Sequence, residues 1–194
     1  MQVDAGRVEA AQAVEAHVRG FFSGHVVESA DYELGAGRRE ALPGLRMLTA
    51  APGPRIDSWT YITAGCWNAV HTDRGHGLEF VLSAPVRDDS FAELLAMVAH
   101  FHVFHHLDLH HSLAIGRPWV PGSACDHLMV SLPYLHGPDL EHCPLVGGHA
   151  RLLWVLPVTA AEVGFAREHG HEALEVRLDQ AAIIPTDPAR PSAV

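Results

Sequence analysis

Two stretches decide how this chain folds: Trp59-Thr-Tyr-Ile-Thr-Ala-Gly65 and Gly77-Leu-Glu-Phe-Val-Leu82. The first lies within Ile56–Gly65, whose β-branched and aromatic residues Trp59, Thr60, Tyr61, Ile62 and Thr63 favour a strand. In the second, Leu78, Phe80 and Leu82 alternate with Glu79, Val81 and Ser83, the two-residue period of a pleated strand. Pro85 ends it, and the polar run His71–Gly77 between the two reads as a turn.

Helices flank this pair. Upstream, Val8, Ala11, Val14, Val18, Phe21 and Phe22 recur every three to four residues, predicting an amphipathic helix over residues 4–23 that stops near Gly24. Residues 31–44, with Gly35, Gly37, Pro43 and Gly44, read as a loop, and Arg46–Thr49 as a short strand. Downstream, Ser90-Phe-Ala-Glu93 has the form of a capping box. The helix it opens, 91–106, carries Phe91, Leu94, Leu95, Met97, Val98, Phe101, Val103 and Phe104 on nearly every side, which predicts burial. Asp126–Leu132 and Arg151–Leu156 read as strands, the second apolar enough to be central, joined by a Pro- and Gly-rich segment over 133–149. Thr159-Ala-Ala-Glu162 is a second capping box, for a helix over 160–169 with Gly170 at its end, and Glu172–Gln180 is a further helix candidate. From Pro185 the tail is extended. Strands interrupted by helices place the chain in the α+β class: one domain, a mixed sheet with helices packed on it, residues 1–24 being an N-terminal helix of the same domain.

The chain has 194 residues, 48% hydrophobic and 19% charged, a globular composition long enough to bury its own core. Asp and Glu number 23 against 13 Lys plus Arg, a net charge of −10 with His neutral. That balance opposes nucleic acid and anionic membrane as partners and favours a basic one. Every cation is Arg, so a P-loop lysine, a Schiff-base lysine and a Ser–Lys dyad are excluded. Cys66, Cys125 and Cys143 are widely spaced, without a CxxC, and Asp4, Arg7, Glu9, Glu15 and Arg19 stand where a secretory signal needs an apolar run. The expectation is a reducing, cytoplasmic setting with all three thiols free.

Sixteen histidines are the anomaly, six of them (His100, His102, His105, His106, His110 and His111) within twelve residues. His102 and His106, four apart, share a helical face as two zinc ligands do; the third ligand would be Asp108 or His110 beyond the helix end. The opposing reading is a polar helix edge that happens to be imidazole. His71-Thr-Asp73-Arg-Gly-His76 is a second group of ligand types in a turn. His171-Glu-Ala-Leu-Glu175 misses the HExxH pattern because its fifth residue is Glu, and reads as a helix with Glu on its wet side. Cys125 and His127 would share a strand face, yet a buried structural Cys is the commoner case. No GxSxG, GxGxxG or aromatic-interleaved Arg cluster is present. Residue chemistry alone therefore assigns no catalytic group and no cofactor, with zinc as the alternative.

The ordered motifs resemble the suppressor of fused domain family. The family's Trp-x-Tyr-x-(Ser/Thr)-x-Gly strand corresponds to Trp59, Tyr61, Thr63 and Gly65, and its Gly-x-Glu strand to Gly77–Leu82 with Glu79. Leu94-Leu-Ala-Met-Val-Ala99 answers the family helix, and Leu113-Ala-Ile-Gly116 the segment after it. Leu156-Pro157-Val-Thr159-Ala-Ala-Glu162 with Gly170 answers Leu-Pro-(Ile/Val)-Thr-x-x-Glu, and Asp187-Pro-Ala-Arg190-Pro-Ser192 the closing Asp-x-x-Arg-x-Ser. Trp67 and the His-rich 100–111 stretch depart from the family pattern. The resemblance implies a stand-alone bacterial form of this α+β domain, with no catalytic residues to carry over. It implies a protein-binding module: an immunity protein that neutralises a cognate, basic toxin of a polymorphic toxin system. Eukaryotic relatives clamp a peptide of a transcription factor, so a peptide-clamping regulator or scaffold is one alternative. A metal-binding protein or metal-dependent enzyme using the 100–111 histidines is the other.

Overall fold

The protein is described by a computed structural model that covers residues 2–32, 41–66 and 76–194. The elements in chain order are α1 (Gln2–Phe21), β1 (Val27–Asp31), β2 (Arg46–Ala50), β3 (Trp59–Ala64), β4 (His76–Ala84), α2 (Asp89–His105), β5 (Ser112–Ala114), β6 (His127–Ser131), α3 (Pro138–Glu141), β7 (His142–Leu145), β8 (Gly148–Val158), α4 (Ala160–His169) and α5 (His171–Gln180). The strands hydrogen-bond in the order β1-β2-β3-β4-β8-β6-β5, with β7 also on β8. This is the mixed sheet expected from the sequence: β1 to β4 are each antiparallel to the next, and β4 and β8 run parallel.

The chain partitions into two compact units, residues 1–107 with 132–154, and residues 108–131 with 155–194. In the first unit, β3 is buried along both faces, which explains its continuous run of apolar and β-branched residues. Alternation sends Ile62, Ala64 and Val81 toward Val14, Val18 and Phe22 of the α1 segment. Tyr61 and Phe80 point the opposite way, toward Phe91 and His102 of α2. Phe91, Leu95 and Val98 of α2 are buried as its apolar pattern predicts. In the second unit β5 pairs antiparallel with β6, and α4 and α5 bury Val163, Ala166, Leu174 and Leu178.

Several expectations need correction. The Ser90–Glu93 capping box does not form: Asp88 is the N-cap, and its carboxylate accepts from the Ser90 amide at 2.8 Å. A charged acceptor two residues earlier is the stronger cap and draws Ser90 into the first turn. Phe104 is 60% exposed and Phe101 only half-buried, so the apolar residues of α2 are not all core. The 133–149 segment carries α3 and β7; β7 pairs with β8 through Cys143 and Ala150. Part of the proposed 31–44 loop, Trp67 and residues 71–75 of the His71–His76 group lie outside the described residues.

Candidate functional site and the framework around it

In the first unit the shared motif closes around one carboxylate. Glu79, 0% exposed on β4, accepts from Thr63 Oγ1 at 2.7 Å, from the Gly65 amide at 2.9 Å and from the Cys66 amide at 3.2 Å. Thr63 Oγ1 in turn accepts from the Phe80 amide at 2.8 Å. Gly65 is required there twice over. Its φ is +113°, and a Cβ would stand 3.0 Å from the Gly44 carbonyl oxygen. The other two motif residues fasten the entry to α2. The Tyr61 hydroxyl donates to the Asp88 carbonyl at 3.0 Å and accepts from the Asp88 amide at 2.9 Å. The Arg87 guanidinium lies 5.4 Å from the Trp59 ring centroid and forms a two-pronged ion pair with Glu28 of β1.

In the second unit the two C-terminal motifs prove to be halves of one node. Glu162 is 0% exposed and Arg190 3%; they meet in a bidentate pair, 2.8 Å on each arm. Arg190 also donates to the carbonyls of Pro157 at 2.8 Å and Pro191 at 3.1 Å. Glu162 further accepts from the amides of Thr159 at 2.8 Å and Ala193 at 2.9 Å, and the Thr159–Glu162 capping box is complete. Thr159 Oγ1 meets Ser192 Oγ at 3.0 Å. Burial raises the Glu162 pKa, but these donors outweigh it and hold the carboxyl below its ordinary value. Leu156 is buried beside Pro157, and Gly170, at φ +92°, ends α4 and opens α5.

No thiol here is poised as a nucleophile. Cys66, Cys125 and Cys143 are free and buried. Burial pushes Cys66 well up, Cys143 to about 11, and Cys125 up, so the reactive thiolate is disfavoured. His127 turns from Cys125 to Asp126, 2.7 Å away.

The structure separates the histidines by environment. His102 is 1% exposed, edge-on to Phe80 at 5.3 Å. His106 is the exposed C-cap, in the left-handed region at φ +48°. One imidazole faces inward and the other leaves the helix, so the i, i+4 spacing does not build a shared face. His110 belongs to the second unit, where it stacks on His171 at 4.6 Å and stands 4.0 Å from Glu175. Among the described residues, no group of three or more His, Cys, Asp or Glu side chains is arranged to hold a metal ion. No helix among them is long and apolar enough to cross a membrane.

What local reading missed is the Glu162–Arg190 pair. No spacing rule links residues 28 apart; the signal was the joint presence of Thr-x-x-Glu and Asp-x-x-Arg-x-Ser. The outer side of α2 was also missed, because its aromatic residues read as core.

A family model for the suppressor of fused protein matches residues 39–191. A crystal structure of a suppressor of fused homologue from Neisseria gonorrhoeae is similar at 30% identity and TM-score 0.82, over 96% of this chain and 98% of that one. A Sufu–Fu complex structure shares the fold at 15% identity and TM-score 0.70, over 95% of this chain and 92% of that one. Drosophila Suppressor of Fused shares it at 11% identity and TM-score 0.61, over 89% of this chain and 47% of that one. No protein of curated function matches the sequence. The ordered motifs, the two nodes they build, one at Glu79 and one at Glu162–Arg190, and these matches agree: the chain belongs to the suppressor of fused family.

Proposed function

We propose that this chain is a non-enzymatic, cofactor-free protein-binding module of the cytoplasm, and that it acts as an immunity protein that sequesters a basic toxin domain. One observation carries the reading. The ionisable residues of the family motifs, Glu79, Glu162 and Arg190, are consumed inside the fold by intrachain hydrogen bonds. They are architecture, so specificity falls to the surface, and the chain as a whole carries −10. The related Sufu–Fu complex is an assembly of this fold with a protein, which supports a protein partner here. A cationic partner is steered toward an acidic surface by long-range attraction, whereas nucleic acid is repelled.

The test is co-expression with each protein encoded beside the gene in its host. One of them arrests growth when expressed alone, and this chain relieves the arrest by forming a complex. In that complex, raising salt from about 10 mM to about 150 mM slows association by about tenfold or more and leaves dissociation nearly unchanged. Failure of every neighbouring protein to bind, or metal-dependent turnover by the purified chain, overturns the reading.

A further inference from the structure

Helix α2 buries one side fully and leaves the other partly exposed. Phe91, Leu94, Leu95, Val98 and His102 face inward. On the outer side Met97, His100 and Phe101 are half-buried, and Phe104 and His105 are exposed. Their rings pair along the helix: His100 with Phe104 at 5.1 Å, and Phe101 with His105, stacked, at 4.1 Å. Ring pairs four residues apart modestly favour one another's rotamers, which lowers the entropy lost on binding. Aromatic anchors of low conformational entropy are what protein interfaces use as energetic centres.

The same side is acidic at its N-terminal end. Asp89 and Glu93 are exposed; Arg87, which acts on Asp89, is itself engaged by Glu28. From Asp88 to Gly116 the sequence contains no Arg or Lys at all. Both carboxylates also act on Tyr32, whose hydroxyl pKa is raised chiefly by burial and then by Glu93 and Asp89.

We propose that the outer side of α2, from Asp89 to His105, docks a cationic amphipathic segment of a protein partner. Arg or Lys side chains would sit at the Asp89–Glu93 end and stack on Phe101 and Phe104, and apolar side chains would pack between Met97 and Phe104. The net charge of −10 disfavours a second copy of the chain as occupant, as it disfavours a nucleic acid or an anionic membrane. The inference rests on the reading of the chain as a binder of a basic protein.

The probe is a synthetic 16-residue peptide with Arg and Leu at helical spacing, titrated into the 15N-labelled full chain; its control carries Glu in place of Arg. Amide shifts should concentrate at residues 89–105, and the Glu peptide should produce none. Phe104→Ser should weaken binding by about tenfold, and Phe104→Leu by less. Val176→Ser, at another exposed apolar residue, should leave it unchanged. Asp89→Asn with Glu93→Gln should flatten the salt dependence. Because Phe104 is exposed, its variants keep the far-UV spectrum and midpoint of the parent. Shifts centred elsewhere, no binding, equal binding of the Glu peptide, or a Phe104→Ser affinity equal to the parent's each overturn the proposal. So does sedimentation showing a dimer lost with Phe104→Ser. Peptide binding at α2 without any toxin partner would leave this surface standing and remove the immunity reading alone.

Discussion

The two buried carboxylates of the family motifs differ in the donors that the described residues bring to them. Glu79 is bound by a hydroxyl and two backbone amides, while Glu162 is bound by a buried guanidinium, two amides and its own helix cap. Those three donors of Glu79 are neutral dipoles supplied by β3 and the residues just after it. The Glu162 node concentrates opposite charges supplied by residues 28 apart. A buried ion pair adds little net stability, because desolvation offsets attraction, but losing one partner strands the other. The Glu162 node is therefore brittle: removing Arg190 strands a buried carboxylate.

Arg190→Ala should be the most damaging single change, costing about 3–5 kcal/mol by leaving Glu162 buried and unpaired. Urea unfolding measures it. Glu162→Gln combined with Arg190→Met should recover much of the loss; a double variant no better than Arg190→Ala would break the comparison.

Acid should act on the first unit before it reaches the Glu162 pair. His136 is buried against Phe21 and Phe22, and its pKa falls to about 4, chiefly through burial and then through Arg55. The folded state resists protonating it, so its contribution is complete above about pH 6.5 and is lost as pH falls from 6.5 toward 4. The full loss is on the order of 3 kcal/mol at 1.36 kcal/mol per pH unit. Glu162, lowered from 4.5, loses its contribution only as pH falls below that value. His136→Phe should flatten stability against pH between about 6.5 and 4.5; an unchanged slope there would assign the acid loss to other groups.

Glu79→Gln should cost less, about 1–3 kcal/mol, because one carboxamide oxygen still accepts while the amide faces donors. A cost equal to that of Arg190→Ala would erase the distinction between the nodes. The smallest effect separates the two cap candidates of α2. Asp88→Ala should lower the urea midpoint slightly, and Ser90→Ala should leave it unchanged.

Periodicity made much of this fold legible. The strands β3, β4, β6 and β8 lie where alternation and apolar runs put them, and the Thr159–Glu162 box forms as its four-residue spacing implies. β5 and β7 were not legible, being only three and four residues long; β5 pairs with β6 across an intervening loop, and β7, interrupted by Pro144, forms a tight hairpin with β8. Their pairing is decided by the sheet they join and not by local preference. The Ser90 box failed because Asp88, outside the motif, is a better acceptor. Phe104 was misread because composition cannot say which side of an apolar helix finds a neighbour. Of the site residues, Trp59, Tyr61, Glu79 and Glu162 were marked by the family resemblance, but their work as internal ties became visible only with their partners.

The distance in sequence between Glu162 and Arg190 also sets a clock during translation. At about 5–20 residues per second, Arg190 is polymerised roughly 1.5–6 s after Glu162. By residue 180 the second unit has every hydrophobic residue of α4 and α5 in hand but not the guanidinium its buried carboxylate needs. Closure around Glu162 must wait, so nascent chains stalled between residues 162 and 190 should remain sensitive to protease in this unit, and become resistant once Arg190 can reach back.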